Sequence, residues 1–173
     1  MLGILKLPIK HTTDNRGEFK KIFQDSLIPE NLDFKVSEIF ISKSLRGTIR
    51  GMHLMIGSAA NFRTINVTKG KVLDVLLDLR EGSSTFGESV SIELNSSDDF
   101  GLLIPPGVAH GFQALEECEM VYSSSMPWVA SLDTGINPFS FQFSWPISNY
   151  IISERDQSLP GFDTWTSYIK DKL

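Results

Sequence analysis

An all-β barrel or sandwich is the fold class that this sequence predicts, and three observations predict it. Short apolar–polar runs recur at intervals of about 8–12 residues. Glycine, proline and small polar residues cluster between those runs. A helical period shows only at the end, where Trp165, Tyr168, Ile169 and Leu173 fall near one face.

Taken in order, residues 1–10 alternate weakly and end near Pro8, as an N-terminal edge strand does. Residues 11–17 have turn chemistry, 18–23 read as a short strand, and 24–32 leave room for one helical turn. Residues 36–42 form the next strand, 44–47 a loop, and Thr48 begins the approach to His53. After the small-residue loop 57–60, residues 63–67 and 72–80 flank Lys69-Gly70 and read as a hairpin. A turn cluster at 81–87 follows. Val90, Ile92 and Leu94 then alternate with Ser91 and Glu93 as a half-buried strand. Residues 95–100 turn into 102–104, and strands continue at 111–115 and 119–123. Asp163 is placed to cap the terminal helix. The 173 residues suffice to bury a sizeable core, so one domain over 1–173 is expected, with 162–173 a helical tail docked on the barrel.

Charge and composition narrow the partners. A net charge of -5 lacks the basic excess that a phosphate-binding surface needs, so no nucleic acid is expected. A small anionic ligand held by a few arginines stays open. The first eight residues are too short for a signal peptide, and no apolar run approaches a membrane span. A cytoplasmic protein is therefore expected, with no membrane partner. Cys118 is the only cysteine, which rules out an internal disulfide and a thiolate metal cluster.

Four ionisable groups lie on the central runs or at their approach: His53, Arg63, Asp74 and Asp78. Buried charge is costly unless paired, so such groups in an apolar sheet point to a site. Period-2 alternation places Asp74, Leu76 and Asp78 on one face and Leu73, Val75 and Leu77 on the other. That mixed face suits a ligand cavity or an ordinary solvent face, and both stay open.

Pro105-Pro106-Gly107-Val108-Ala109-His110 matches Pro-x-Gly-x-x-His, the second cupin motif, and narrows the fold to a cupin-type barrel or jelly roll with a short C-terminal helix. In metal-binding cupins this motif works with an earlier His-x-His and a glutamate. Here the earlier element is His53-Leu54-Met55, and His11 lies far off in an N-terminal turn. A mononuclear centre usually takes three protein side chains, so no metal is expected; a metal-dependent cupin enzyme is the alternative.

Further segments belong with this motif: Asp14-Asn15-Arg16-Gly17-Glu18-Phe19, Arg46-Gly47-Thr48-Ile49-Arg50-Gly51-Met52-His53, the run from Asp78 to Gly87, the run from Ile104 to Phe112, Trp145-Pro146, and Ile152-Ser153-Glu154-Arg155-Asp156. Read together, they resemble the dTDP-4-dehydrorhamnose 3,5-epimerase family. The resemblance covers about residues 10–160. It implies a cofactor-independent isomerase that inverts C3 and/or C5 of a nucleotide-diphosphate 4-keto-6-deoxy sugar, working as a homodimer. The chemistry agrees with the residue types. A proton next to a ketone is acidic because the carbanion delocalises as an enolate. Epimerisation needs a base on one face, an acid on the other and a cation at the oxygen.

The resemblance also implies roles. His53 matches the base, Asp156 the carboxylate that orients it, and Tyr122 the acid on the opposite face. A satisfied loop histidine and a core tyrosine are the competing readings, and no other histidine is expected on the face of His53. Arg63 stands where the family has a lysine near the keto oxygen. His110 and Asp74 match a second polar pair, holding sugar or enolate or simply bonding the strand. Arg16 and Arg50 match arginines on the diphosphate or sugar. Phe19 matches an aromatic stacked on the base from the partner subunit, with a core phenylalanine as the alternative.

The departures are Met55 and Asn61 for glutamines, Glu38 and Phe40 for glutamine and asparagine, and Trp128 for a tyrosine. Glu38, Asn61 and Trp128 are thus placed at the substrate, and the changes point to a related substrate with weaker preference for dTDP over GDP. A catalytically silent nucleotide-sugar-binding cupin is the remaining alternative.

Overall fold

The computed structural model describes residues 2–172. Its strands are β1 (Leu5–Pro8), β2 (Lys10–Asp14), β3 (Gly17–Lys21), β4 (Glu38–Ser44), β5 (Ile49–Met55), β6 (Arg63–Lys69), β7 (Lys71–Asp78), β8 (Ser89–Asn95), β9 (Phe100–Ile104), β10 (Val108–Ala114), β11 (Cys118–Ser124) and β12 (Asp133–Gly135). Two short helices follow, α1 (Glu154–Gln157) and α2 (Trp165–Lys172). Leu173, expected on the apolar face of the terminal helix, lies outside the described residues. One five-stranded sheet has the order β1-β9-β6-β11-β4, and the other β12-β5-β10-β7-β8. The pairings are antiparallel, and β2 and β3 form a separate two-stranded arm. This is the expected jelly roll with a short C-terminal helix. No helix among the described residues is long and apolar enough to cross a membrane.

Alternation explains how the sheets face each other. Ile65, Leu102, Met120 and Tyr122 of the first sheet meet Val72, Leu76 and Phe112 of the second in one buried cluster. Complete burial of a side chain such as Leu76 contributes about 1.5–3 kcal/mol. The opposite side chains of the second sheet, including Met52, Leu54, Val75 and Leu77, are covered by Trp165 of α2 and by Phe141, Phe143 and Trp145. Ile28, Phe34 and Leu103 make a smaller layer over the first sheet.

Four expectations are corrected. Residues 63–80 are not a hairpin: β6 pairs with β9 and β11, whereas β7 pairs with β8 and β10. Gly70 is the corner at which the chain passes from one sheet to the other. Its φ of 72° favours glycine, and a Cβ there would stand 2.1 Å from the Glu117 carbonyl oxygen. Residues 11–17 are mostly strand, because Thr12 and Thr13 pair with Phe19 and Glu18. The solvent-face reading of Asp74 and Asp78 fails, since both are fully buried in a strand covered on both sides. Asp163 caps nothing: it lies inside a 3₁₀ turn, Phe162–Thr164, that leads into α2 and has Gly161 at its N-cap without a side-chain bond.

Asp78 is buried for a structural reason. Its carboxylate accepts from Arg80 Nε and Nη2 at 2.9 and 2.7 Å, Ser83 Oγ at 2.7 Å and Thr85 Oγ1 at 2.6 Å. Burial alone raises its pKa, but these bonds outweigh burial and hold it well below the usual carboxylate range. The turn at 81–87 is thereby fastened to the end of β7.

Candidate active site

The site begins with a bulge in β5. Across β10, His53 opposes His110 but Arg50 opposes Phe112, so Gly51 and Met52 share one partner position. In a regular strand, residues three apart face opposite sides. The extra residue turns Arg50 and His53 towards the same cavity. Gly51 permits this close approach: its φ is 134°, and a Cβ there would stand 2.4 Å from the Gly111 Cα.

The bulge is locked by a distant carboxylate. The amide of Gly51 donates to Asp156 Oδ2 at 3.1 Å, and His53 Nε2 lies 2.8 Å from Asp156 Oδ1. Asp156 is buried in the single turn of α1, whose N-cap Ser153 accepts the Asp156 amide at 3.1 Å. Backbone bonds between Ile151 and both Gly47 and Ile49 bring this segment alongside β5. Burial raises the Asp156 pKa, but the bonds from His53, Gly51 and Ser153 and the His53 charge outweigh it, so the group is lowered and ionised. An ionised carboxylate only accepts, so His53 Nε2 carries a hydrogen, and in the neutral ring Nδ1 keeps its lone pair.

His53, Phe40 and Arg63 line two cavities, of about 230 and 210 Å³. Tyr122, His110, Phe112, Arg50 and Ser42 complete the second. His53 belongs to the second sheet and Tyr122 to the first, so they face this cavity from opposite walls. Tyr122 is 5% exposed, with its hydroxyl 3.3 Å from Ser42 Oγ and its ring stacked on Phe40, its cross-strand partner, at 4.7 Å. Burial pushes the phenol pKa well up, which keeps it neutral and able to donate. Arg63 is half-buried, and among the described residues its guanidinium makes no hydrogen bond or ion pair. Burial lowers its pKa while Tyr122, Asp133 and Glu38 draw it back up, and a guanidinium so placed is charged at neutral pH.

Behind this wall, His110 Nε2 lies 2.6 Å from Asp74 Oδ2, with both residues buried and Asp74 Oδ1 unpartnered among the described atoms. Burial raises the Asp74 pKa, and the charge and bond of His110 offset that only in part. His110 also lines the second cavity, so His53 shares its wall with another histidine, contrary to expectation. Glu38, Asn61 and Trp128 line the first cavity; Glu38 Oε2 accepts the Trp128 amide at 3.1 Å, and Asn61 Nδ2 donates to Ser124 Oγ at 2.6 Å.

Arg16 and Phe19 are not brought to these cavities. They sit on the β2–β3 arm, where Arg16 is bound to Asp14 and Phe19 is 58% exposed, which excludes a core position for that ring. Ser42, Ser124, Asp133 and Arg155 reach the site with no role assigned from sequence. Arg155 precedes Asp156 in one of the segments that carry the family resemblance, the one signal that could have found it. Among the described residues, no three His, Cys, Asp or Glu side chains converge as a metal centre requires.

Comparison with known proteins places this geometry in context. A model of the family described as dTDP-4-dehydrorhamnose 3,5-epimerase matches residues 1–164. The chain is 33% identical over 148 residues to the dTDP-4-dehydrorhamnose 3,5-epimerase of Shigella flexneri, covering 83% of this chain and 82% of that one. The crystal structure of dTDP-4-dehydrorhamnose 3,5-epimerase from Sulfolobus tokodaii is similar with a TM-score of 0.85 and 34% identity, over 94% and 92% of the two chains. A Legionella pneumophila dTDP-6-deoxy-D-glucose-3,5-epimerase in complex with dTDP-4-keto-L-rhamnose is similar with a TM-score of 0.86 and 25% identity, over 92% and 88%.

Proposed function

Because this chain belongs to the dTDP-4-dehydrorhamnose 3,5-epimerase family, we propose that it inverts C3, C5 or both of a dTDP-linked 4-keto-6-deoxy sugar through an enolate. The observation that carries the assignment of roles is the His53–Asp156 contact at 2.8 Å, facing Tyr122 across one cavity. His53 Nδ1 removes the proton next to the ketone, and Asp156 stabilises the imidazolium that forms. Charge then collects on the keto oxygen, where Arg63 offers a guanidinium with no hydrogen-bond partner among the described residues. Tyr122 returns a proton from the opposite wall, and Ser42 aligns its hydroxyl. Arg50 is the second guanidinium of that cavity and suits the sugar or diphosphate. His110, held by Asp74, presents a polar edge to the sugar or enolate.

The working form is a homodimer. The β2–β3 arm is exposed along almost its whole length, and Ile39 and Ile41 on the edge strand β4 are 66% and 57% exposed. An apolar edge strand is a liability unless covered. A second copy covering it would allow Arg16 and Phe19 to reach the neighbour's nucleotide.

Incubation with dTDP-4-keto-6-deoxyglucose in D2O tests the reaction. Deuterium at C3, C5 or both by NMR is expected, and its absence overturns the epimerase assignment for this sugar. Light scattering tests assembly: a monomer at micromolar concentration overturns the dimer.

A further inference from the structure

Asp133, on the short strand β12 beside β5, bonds in two directions with one oxygen. Its Oδ2 accepts from Arg155 Nη2 at 2.8 Å and from Trp128 Nε1 at 3.0 Å. Trp128 is also tied by its amide to Glu38 on β4 at 3.1 Å. On the other side, Arg155 Nη1 stands 3.4 Å from His53 Nε2 and 4.0 Å from Asp156 Oδ1. His53 Nε2 already donates its hydrogen to Asp156, and a guanidinium can only donate. The approach of Arg155 to His53 is therefore a meeting of two donors, and the acceptor that Nη1 faces is Asp156 Oδ1, the oxygen that His53 uses.

Arg155 is thus poised to compete with His53 for Asp156. Closing the gap to a charge-assisted bond takes a movement of about 1 Å, and a guanidinium–carboxylate pair is stronger than a bond from neutral imidazole. What opposes the movement is the bond from Nη2 to Asp133. The other charged or titratable groups around His53 are Arg50 on its own strand, Arg63 on β6, His110 on β10, Tyr122 on β11 and Glu38 on β4. None of these has a bond to Asp156 in the structure.

We propose that Asp133 is a positioning residue: it holds Arg155 back so that Asp156 stays with His53, and the same oxygen fixes Trp128 in the pocket wall. This inference rests on the epimerase reading of the cavity. It links the base to the wall that carries Glu38 and Trp128 through one half-buried carboxylate.

Five variants and two readouts test it. Asp133→Asn keeps an acceptor for Trp128 but removes the charge that restrains Arg155. Its kcat is expected to fall roughly tenfold with KM nearly unchanged. Adding Arg155→Met removes the competitor, so the double variant recovers kcat to within about twofold of Arg155→Met alone. A merely structural Asp133 would give no such recovery. Wild-type kcat in Asp133→Asn, a double variant no faster than Asp133→Asn, or loss of turnover in Arg155→Met alone each overturns the proposal.

The second readout needs no turnover. Asp133→Ala releases Trp128, and acrylamide quenching of its fluorescence is expected to rise, with Trp128→Phe used to subtract Trp145 and Trp165. Unchanged quenching overturns the role of Asp133. Increased quenching in a protein that shows no deuterium exchange supports the Trp128 tether and places the failure in the epimerase reading.

Discussion

Replacing Asp156 by asparagine is expected to remove turnover while leaving the fold and substrate binding almost intact. The carboxylate uses one oxygen for the Gly51 amide at 3.1 Å and the other for His53 Nε2 at 2.8 Å. An asparagine has a single oxygen. The Gly51 amide can only donate, so it retains that oxygen, and the new NH2 group is turned to His53. An NH2 also only donates, which forces Nε2 to accept and moves the ring hydrogen to Nδ1, the atom that must be bare to take the substrate proton. The helical turn survives, because the bond from the residue-156 amide to Ser153 Oγ does not involve the side chain. A general base contributes about 10²–10⁴-fold, and holding a catalytic histidine in the wrong tautomer costs about 10⁴-fold in a comparable dyad. The expected loss in kcat is therefore about 10²–10⁴-fold, with KM changed by less than about threefold. Deuterium incorporation from D2O into the sugar, followed by NMR at saturating substrate, measures it. An Asp156→Asn enzyme that keeps more than about a tenth of wild-type kcat refutes the tautomer argument and makes the dyad a structural contact.

Four further outcomes are expected. Arg63→Met should lower kcat at least about a hundredfold and Arg63→Lys less than about tenfold, since charge at the developing enolate is the role; equal losses would show that shape matters instead. Gly51→Ala should lower stability by about 2–4 kcal/mol, read by urea denaturation, because a methyl 2.4 Å from the Gly111 Cα forces the bulge apart. The folded-state pKa of Asp78 is depressed, so its stabilisation is complete above the unfolded value of about 3.9 and lost as pH falls through the folded value. Asp78→Asn should accordingly flatten the decline of the urea midpoint below pH of about 4, and an unchanged acid limb would disprove the linkage. Glu38 lines the cavity with one oxygen bound to the Trp128 amide and the other free of any donor among the described residues, so calorimetry should find dTDP less than about tenfold tighter than GDP. A larger preference would show that Glu38 and Trp128 do not select the base.

Much of the fold was legible because alternation reports which side chains turn inward. Val90, Ile92 and Leu94 read as a half-buried strand and form part of β8. Alternation does not report which strand lies alongside, and that limit explains the misreading of 63–80. The residues flanking Gly70 have the composition of a hairpin, yet the corner sends β6 and β7 to different sheets. A second limit follows from the same geometry. Asp74 shares with Val72 and Leu76 a face that the first sheet covers, while the other face of β7 is covered by α2 and residues 141–145 far along the chain. The dyad was legible only through resemblance, because Asp156 is 103 positions from His53 and its helix of four residues is too short for periodicity to register. Asp133 left no pattern and Arg155 only its place beside Asp156 in a resembling segment, since each is one charge on a very short element and acquires its meaning from the 2.8 Å contact between them. Regular secondary structure thus carries the histidine and tyrosine walls, while the groups that hold the histidine in register come from the least regular part of the chain. Substitutions at Asp133, Arg155 and Asp156 are therefore the ones expected to alter turnover without disturbing the β-sheet core.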